Sequence, residues 1–403
     1  MSEWQTVAIG EICDLVTSGG TPLTSQKEYY HNGSIPWVKT KEVNQCRLYG
    51  TENHITQLGL DNSSAKLIPE NSIIIAMYGD GKTAGRVALN KVPVTTNQAC
   101  CNLILNKQKA NYDFVFYNLM GRYDELVSKK TGSGQQNLNG KIIKEIEIDL
   151  PPLPEQKAIA SVLSSLDDKI DLLHRQNKTL EAMAETLFRQ WFIEEAKEDW
   201  EEADLTQLIE LQSGYAFKSK DFQESGSFGV IKIKNISGNI IDIGQTDFVA
   251  DEIGLATAQR FHVKSGQVLI AMTGAEIGKL GLVPKTTKQL LLNQRVGLLV
   301  PRFKGAEYLA YLHLKSEFGQ DYIENSATGS AQPNISGSLI EACPFPKLDN
   351  EFLRQCGMQV QIYYEKVKEN LGQIQTLENL RDTLLPKLMS GEVRVQYQTE
   401  QVA

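Results

Sequence analysis

The chain has 403 residues, 41% of them hydrophobic and 22% charged; this is the balance of ordinary globular proteins, and the length predicts two or three domains. No run approaches the ~20 apolar residues of a membrane helix, and Met1-Ser2-Glu3-Trp4 carries neither the basic nor the apolar part of a signal peptide, so a cytoplasmic chain that spans no membrane is expected. The net charge of −8 opposes nucleic acid until it is divided along the chain: residues 1–150 hold 15 basic and 15 acidic side chains, 151–204 hold 6 and 13, 205–350 hold 14 and 14, and 351–403 hold 6 and 7. The excess acid sits in one central segment, read as a solvated helix face, and the two large segments are neutral and able to present basic faces to DNA.

In chain order, Ile35–Val38 and Ile73–Ala76 read as strands, and Ser18-Gly19-Gly20, Gly79-Asp80-Gly81 and Gly132-Ser133-Gly134 punctuate an α+β globule with loops. Pro151-Pro152-Leu153-Pro154 ends it. A helix is predicted from Glu155 to about Ala196, with Ile159, Val162, Leu166, Ile170, Leu173, Leu180, Leu187 and Trp191 at three- and four-residue steps and Asn177 inside the stripe. A second globule follows, in which Val230–Lys234 alternates apolar and basic residues like a half-exposed strand. A second helix carries Cys356, Val360, Tyr363, Val367, Asn370, Ile374, Leu377, Arg381, Leu384 and Leu388, and Pro386 and Gly391 end or kink it. Two long helices with apolar seams predict an antiparallel coiled coil, in which Asn177 and Asn370 are candidates for fixing register.

The second half repeats the first. Ile73–Gly79 matches Val268–Gly274 at a spacing of 195, Asn97-Gln98 matches Asn293-Gln294 at 196, and Thr131-Gly132-Ser133 matches Thr328-Gly329-Ser330 at 197. A unit this long, used twice, is a duplicated module and not a solenoid.

Catalytic signatures are missing. Ala76 stands where a phosphate-binding loop needs its first glycine, and the repeat copy lacks the Gly-Lys-Thr. Pro151-Pro152 lies between leucines, unlike a methyltransferase's base-holding loop. The five histidines are dispersed, and the six cysteines form no C-x-x-C pair, so neither a metal cluster nor a Ser/His/Asp triad is expected.

Leu150-Pro151-Pro152-Leu153-Pro154-Glu155-Gln156-Lys157-Ala158-Ile159 resembles the start of the conserved helix in type I restriction-modification specificity subunits, and Leu384-Leu385-Pro386-Lys387-Leu388-Met389-Ser390-Gly391-Glu392 resembles that family's C-terminal ending. The second helix start, Pro344-Phe345-Pro346-Lys347-Leu348, departs from the motif. The resemblance implies an α+β fold of two similar target-recognition domains, 1–150 and 200–350, separated by two long antiparallel coiled-coil helices, 151–199 and 351–395, with a tail at 396–403. It implies a non-catalytic chain that binds double-stranded DNA at a bipartite asymmetric site and docks two methyltransferase subunits and the restriction subunits. S-adenosylmethionine, ATP and Mg would belong to those partners, with no cofactor in this chain. The alternative is an interaction scaffold with no DNA role. Base reading needs Arg, Lys, Asn and Gln on loops. The candidates are Lys39, Lys41, Lys82, Arg86 and Gln135 in the first module, with Tyr78 as a stacking ring, and Lys232, Lys234, Lys279 and Gln332 in the second. Asn97-Gln98 and Asn293-Gln294 are read as loop-holding pairs.

Overall fold

The computed structural model describes residues 4–79, 83–130, 137–329 and 333–396. The chain forms two compact units, Met1–Asp168 with Glu378–Ala403, and Lys169–Leu377.

In the first unit a five-stranded sheet runs Cys13–Ser18, Cys100–Leu105, Ile73–Ala76, Val87–Asn90, Cys46–Leu48. Ile73–Ala76 is buried on both faces: Ile73 and Ile75 enter one core cluster, and Ile74 and Ala76 enter another. A central strand is apolar at every position because alternate side chains meet opposite cores. Beside this sheet lies a small one ordered His54–Ile55, Ile35–Val38, Thr95–Thr96. The second unit repeats the plan. Ile209–Ser213, Val296–Pro301, Val268–Ala271, Leu280–Leu282 and Asn239–Ile241 follow the same order, with Ile236–Ser237 added at the edge. Asp247–Val249, Phe228–Ile231 and Gln289–Leu292 repeat the small sheet inside a five-stranded one. Asn-capped helix Tyr112–Gly121 in the first unit has its counterpart in Ala306–Lys315 in the second.

The predicted strand over Val230–Lys234 is corrected. It ends at Ile231, because the Asn235 Oδ1 accepts the Lys232 N–H at 2.9 Å and turns the chain into a short 3-10 helix, Ile233–Asn235. The strand itself, Phe228–Ile231, is fully buried rather than half-exposed, since it pairs on both sides.

The long helices span Leu153–Arg189, followed by a π turn at Gln190–Glu194, and Asn350–Met389 with Pro386 inside its last turn. The buried line of the first passes through Leu163 and Phe188, leaving the predicted Val162 and Leu187 half-buried. In each unit the helices run antiparallel. In the first, Glu155 pairs with Arg394 and Asp167 with Arg381. In the second, Asn177 meets Asn370, and the ring centroids of Phe192 and Phe352 lie 6.3 Å apart.

The acidity of the first helix is not simply solvated, as the sequence reading expected. Asp167 accepts from Arg381 at 2.9 Å and from the Tyr117 hydroxyl at 2.6 Å, and Arg47, its side chain only 3% exposed, donates to Tyr117 at 2.9 Å and pairs with Asp168. Burial, and then Asp167, push the Tyr117 phenol above its ordinary range. The network ties strand Cys46–Leu48 to both helices. In the second unit Lys315 pairs with Glu181 and Glu185. The cysteines are free thiols, Cys100, Cys101, Cys343 and Cys356 buried. His313 is also a packing residue: burial pushes its imidazole down to about 4, and its Nε2 donates to the Pro344 carbonyl at 2.8 Å.

Two predictions follow from the polar groups in the seam. Arg47→Met removes the buried donor to the Tyr117 hydroxyl while Asp167 keeps Arg381, and should lower the unfolding free energy in urea by about 1–3 kcal/mol. Asn370 Nδ2 donates to Asn177 Oδ1 at 2.8 Å, but Asn177 Nδ2 and Asn370 Oδ1 have no hydrogen-bond partner among the described residues. The double change Asn177→Leu with Asn370→Leu should therefore raise the melting temperature, whereas Asn370→Leu alone should lower it.

Candidate nucleic-acid interface

One constellation is built in each unit from three sequence-distant pieces. In the first, strand Ile35–Val38 pairs in parallel with Thr95–Thr96, Trp37 opposite Thr95 and Val38 opposite Thr96. Parallel strands end at the same edge, so the turn after Val38 and the turn after Thr96 are neighbours. The Asn97 N–H donates to the Val38 carbonyl at 3.0 Å. Lys39 then opens a 3-10 turn, Thr40–Glu42, its N–H held by the Glu42 carboxylate at 2.9 Å. The third piece is Ser18-Gly19-Gly20, where Gly20 N–H donates to the Thr96 carbonyl at 2.9 Å and the Gly20 carbonyl accepts from Trp37 Nε1 at 3.0 Å.

The second unit repeats the backbone contacts. Val230 lies opposite Leu291 and Ile231 opposite Leu292, again in parallel. Asn293 N–H donates to the Ile231 carbonyl at 3.1 Å, Lys232 opens the turn held by Asn235, and Tyr215 N–H donates to the Leu292 carbonyl at 2.8 Å. The glycine before it is sterically required in both copies. A Cβ on Gly19 would lie 2.2 Å from the Thr96 carbonyl oxygen, and one on Gly214 2.3 Å from that of Asn293. Asn97 Oδ1 accepts the Ala99 N–H and Asn293 Oδ1 the Arg295 N–H, so the asparagine of each Asn-Gln pair holds its loop.

The charges differ between the copies. Lys39 Nζ lies 3.0 Å from Asn53 Oδ1 and 5.1 Å from the Trp37 ring, and exposed Lys41 pairs with Glu52. With Glu42 present, two ammonium groups face two carboxylates. In the second unit Lys232 and Lys234 share Asp247, each at 2.7 Å, and Asn235 replaces the glutamate, leaving one net positive charge. Hydrogen bonds from both lysines hold the Asp247 carboxyl below its ordinary range.

The family model for the type I restriction modification DNA specificity domain matches residues 1–182 and 197–363, which is the duplication seen in the fold. The chain belongs to this family. The MjaIX specificity subunit of Methanocaldococcus jannaschii is 28% identical over 421 residues, covering 98% of this chain and 94% of the relative. The EcoR124I/EcoR124II specificity subunit of Escherichia coli is 31% identical over 170 residues, 41% of each chain. The type I restriction-modification S subunit from M. genitalium shares the fold, with a TM-score of 0.61 at 20% identity over 98% of this chain and 97% of that one. The protein is thus a specificity subunit of a type I restriction-modification system, a non-catalytic recognition subunit with two DNA-binding target-recognition domains in tandem. No described helix is long and apolar enough to cross a membrane, and the described residues contain no group able to hold a metal.

Of the candidate contacts in this specificity subunit, Lys39 with Lys41, and Lys232 with Lys234, share the repeated turns. Arg86 bonds to Asn44 Oδ1, two residues beyond the first turn. Lys279 takes the corresponding hairpin position in the second domain, its carbonyl accepting from Ala271 as that of Arg86 does from Ala76, and its ammonium pairs with Glu276. Tyr78 is half-buried against the first core. Lys82, Gln135 and Gln332 lie outside the described residues. Sequence reasoning missed Tyr215 and the Lys-x-Lys match, although Ser18-Gly19-Gly20 and Ser213-Gly214-Tyr215 align at 195 and Lys39–Glu42 and Lys232–Asn235 at 193. The signal was present in the repeat.

Because the Gly214 clash is with backbone, Gly214→Ala should lower the unfolding free energy in urea by about 1–3 kcal/mol. Gly50→Ala, whose Cβ meets nothing within 4 Å, is the control and should be near neutral.

Proposed function

We infer that each recognition domain reads one half of a bipartite, asymmetric site in double-stranded DNA through the loops at its parallel strand ends. The observation that carries this is the Lys-x-Lys turn built twice on the same backbone, with different neighbours in each copy. One framework used twice supplies two half-site readers, and differing side chains supply differing half-sites. In this reading the recognition domains are 1–150 and 200–350. The antiparallel helices, 151–199 and 351–395, act as a coiled-coil spacer that sets the distance between half-sites and docks two methyltransferase subunits, with 396–403 as a tail. Restriction subunits join that core. S-adenosylmethionine, ATP and Mg belong to those partners, and the complex works in the cytoplasm.

The helix seam supports the spacer role, since the buried Asn177–Asn370 pair disfavours alternative registers. The lysines, Arg86 and Lys279 supply donors suited to base edges and phosphates, and Tyr78, Lys82, Gln135 and Gln332 remain proposed contacts on the same grounds of residue type.

The test is Lys39→Ala with Lys41→Ala in the complex with its methyltransferase partner, read by mapping methylated adenines across a genome. The expected result is relaxation or loss of one half-site with the other unchanged. Equal failure at both halves would refute the placement.

A further inference from the structure

Tyr215 is 42% exposed, yet it is firmly held. Its N–H donates to the Leu292 carbonyl at 2.8 Å, and its carbonyl accepts from the Gln294 N–H at 2.9 Å. Its ring makes edge contacts with Phe217, centroids 4.8 Å apart, and with Phe261 at 5.5 Å. Phe217 is buried and continues to Phe222 at 6.1 Å, whose ring carries the Lys232 ammonium 3.6 Å from its centroid. At the other end the Arg260 guanidinium lies 4.8 Å from the Phe261 centroid. Four rings thus run from one cation to another, and Tyr215 is the most exposed of them, beside the Asn-Gln turn and joined through Phe217 and Phe222 to Lys232 of the Lys-x-Lys turn.

A ring already fixed in place can be covered by a flat partner at little further conformational cost. Here the flanking charges are those that attract phosphate, and a fixed aromatic ring between cations suits a nucleobase at an unstacked base step, where its flat, polarisable face is open. The first domain cannot do the same. Its aligned residue is Gly20, where a Cβ would lie 2.3 Å from the Ala65 backbone nitrogen.

We propose that Tyr215 packs its ring against a nucleobase of the half-site read by the second recognition domain, a contact with no counterpart at Gly20. The proposal rests on the DNA-reading function above. The contact makes the two domains read by different chemistry, the second combining ring packing with its polar turn.

The test uses the full chain assembled with its methyltransferase partner. The probes are duplexes carrying the motif that this wild-type complex methylates, intact or with single abasic positions. Tyr215→Ala should weaken binding about 10- to 100-fold, Tyr215→Leu nearly as much, and Tyr215→Phe less than threefold. One abasic position in the second half-site should weaken the wild type but leave Tyr215→Ala unaffected, and abasic positions in the first half-site should act equally on both. Equal binding by wild type and Tyr215→Ala overturns the proposal. So does a loss in Tyr215→Phe as large as in Tyr215→Ala, or an abasic profile identical for the two proteins. If the wild-type complex methylates and binds no specific sequence, it is the functional reading that fails, not the placement of Tyr215.

Discussion

Two parallel strands must finish at the same edge, and a chain leaving both of them delivers two loops to one place. Ile35–Val38 beside Thr95–Thr96, and Phe228–Ile231 beside Gln289–Leu292, impose this in each domain. The Asn-Gln turn then bonds to the residue just before the first lysine of each Lys-x-Lys turn. The glycine of each Ser-Gly pair lets a third loop approach the carbonyls of that turn more closely than a Cβ permits. Lys39 lies 58 residues before Asn97 and Lys232 lies 61 before Asn293, so nothing local fixes their meeting. If the parallel register slipped by one residue, side chains would exchange faces and the three loops would lose their contacts.

The helices face a different constraint, since charge inside a helix seam is tolerated only with partners. Asp167 meets this with Tyr117, Arg381 and the adjacent Arg47, and the same bonds attach strand Cys46–Leu48 to the helices of its unit. In the second unit the residue 197 positions after Asp167 is Tyr364, which stacks on Tyr308 with centroids 4.7 Å apart. The duplicated plan therefore keeps its backbone and exchanges an ionic interior for an aromatic one. The same pattern holds at the loops after the parallel strands, where Glu42 becomes Asn235 and Gly20 becomes Tyr215. A duplicated framework with diverged side chains is the physical basis for an asymmetric recognition subunit.

The amino-acid sequence by itself determined the duplication, the two long helices, the strand at Ile73–Ala76 and the family, because these depend on spacing, periodicity and short motifs that survive in one dimension. Ile73–Ala76 was legible since a strand covered on both faces is apolar throughout. Only the tertiary structure decided where Val230–Lys234 stops being a strand, since the Asn235 side chain captures the Lys232 N–H and the apolar-basic alternation imitates a longer strand. Only it showed that Asn177 and Asn370 are partners, 193 residues apart, and that much of the first helix's acidity is paired, because an antiparallel register cannot be read from either helix alone. Tyr215 lies between these cases. Its place in the repeat was visible, but its exposure and the rings around it depend on Phe261 and Phe222 arriving from elsewhere in the chain, and only folding brings them there.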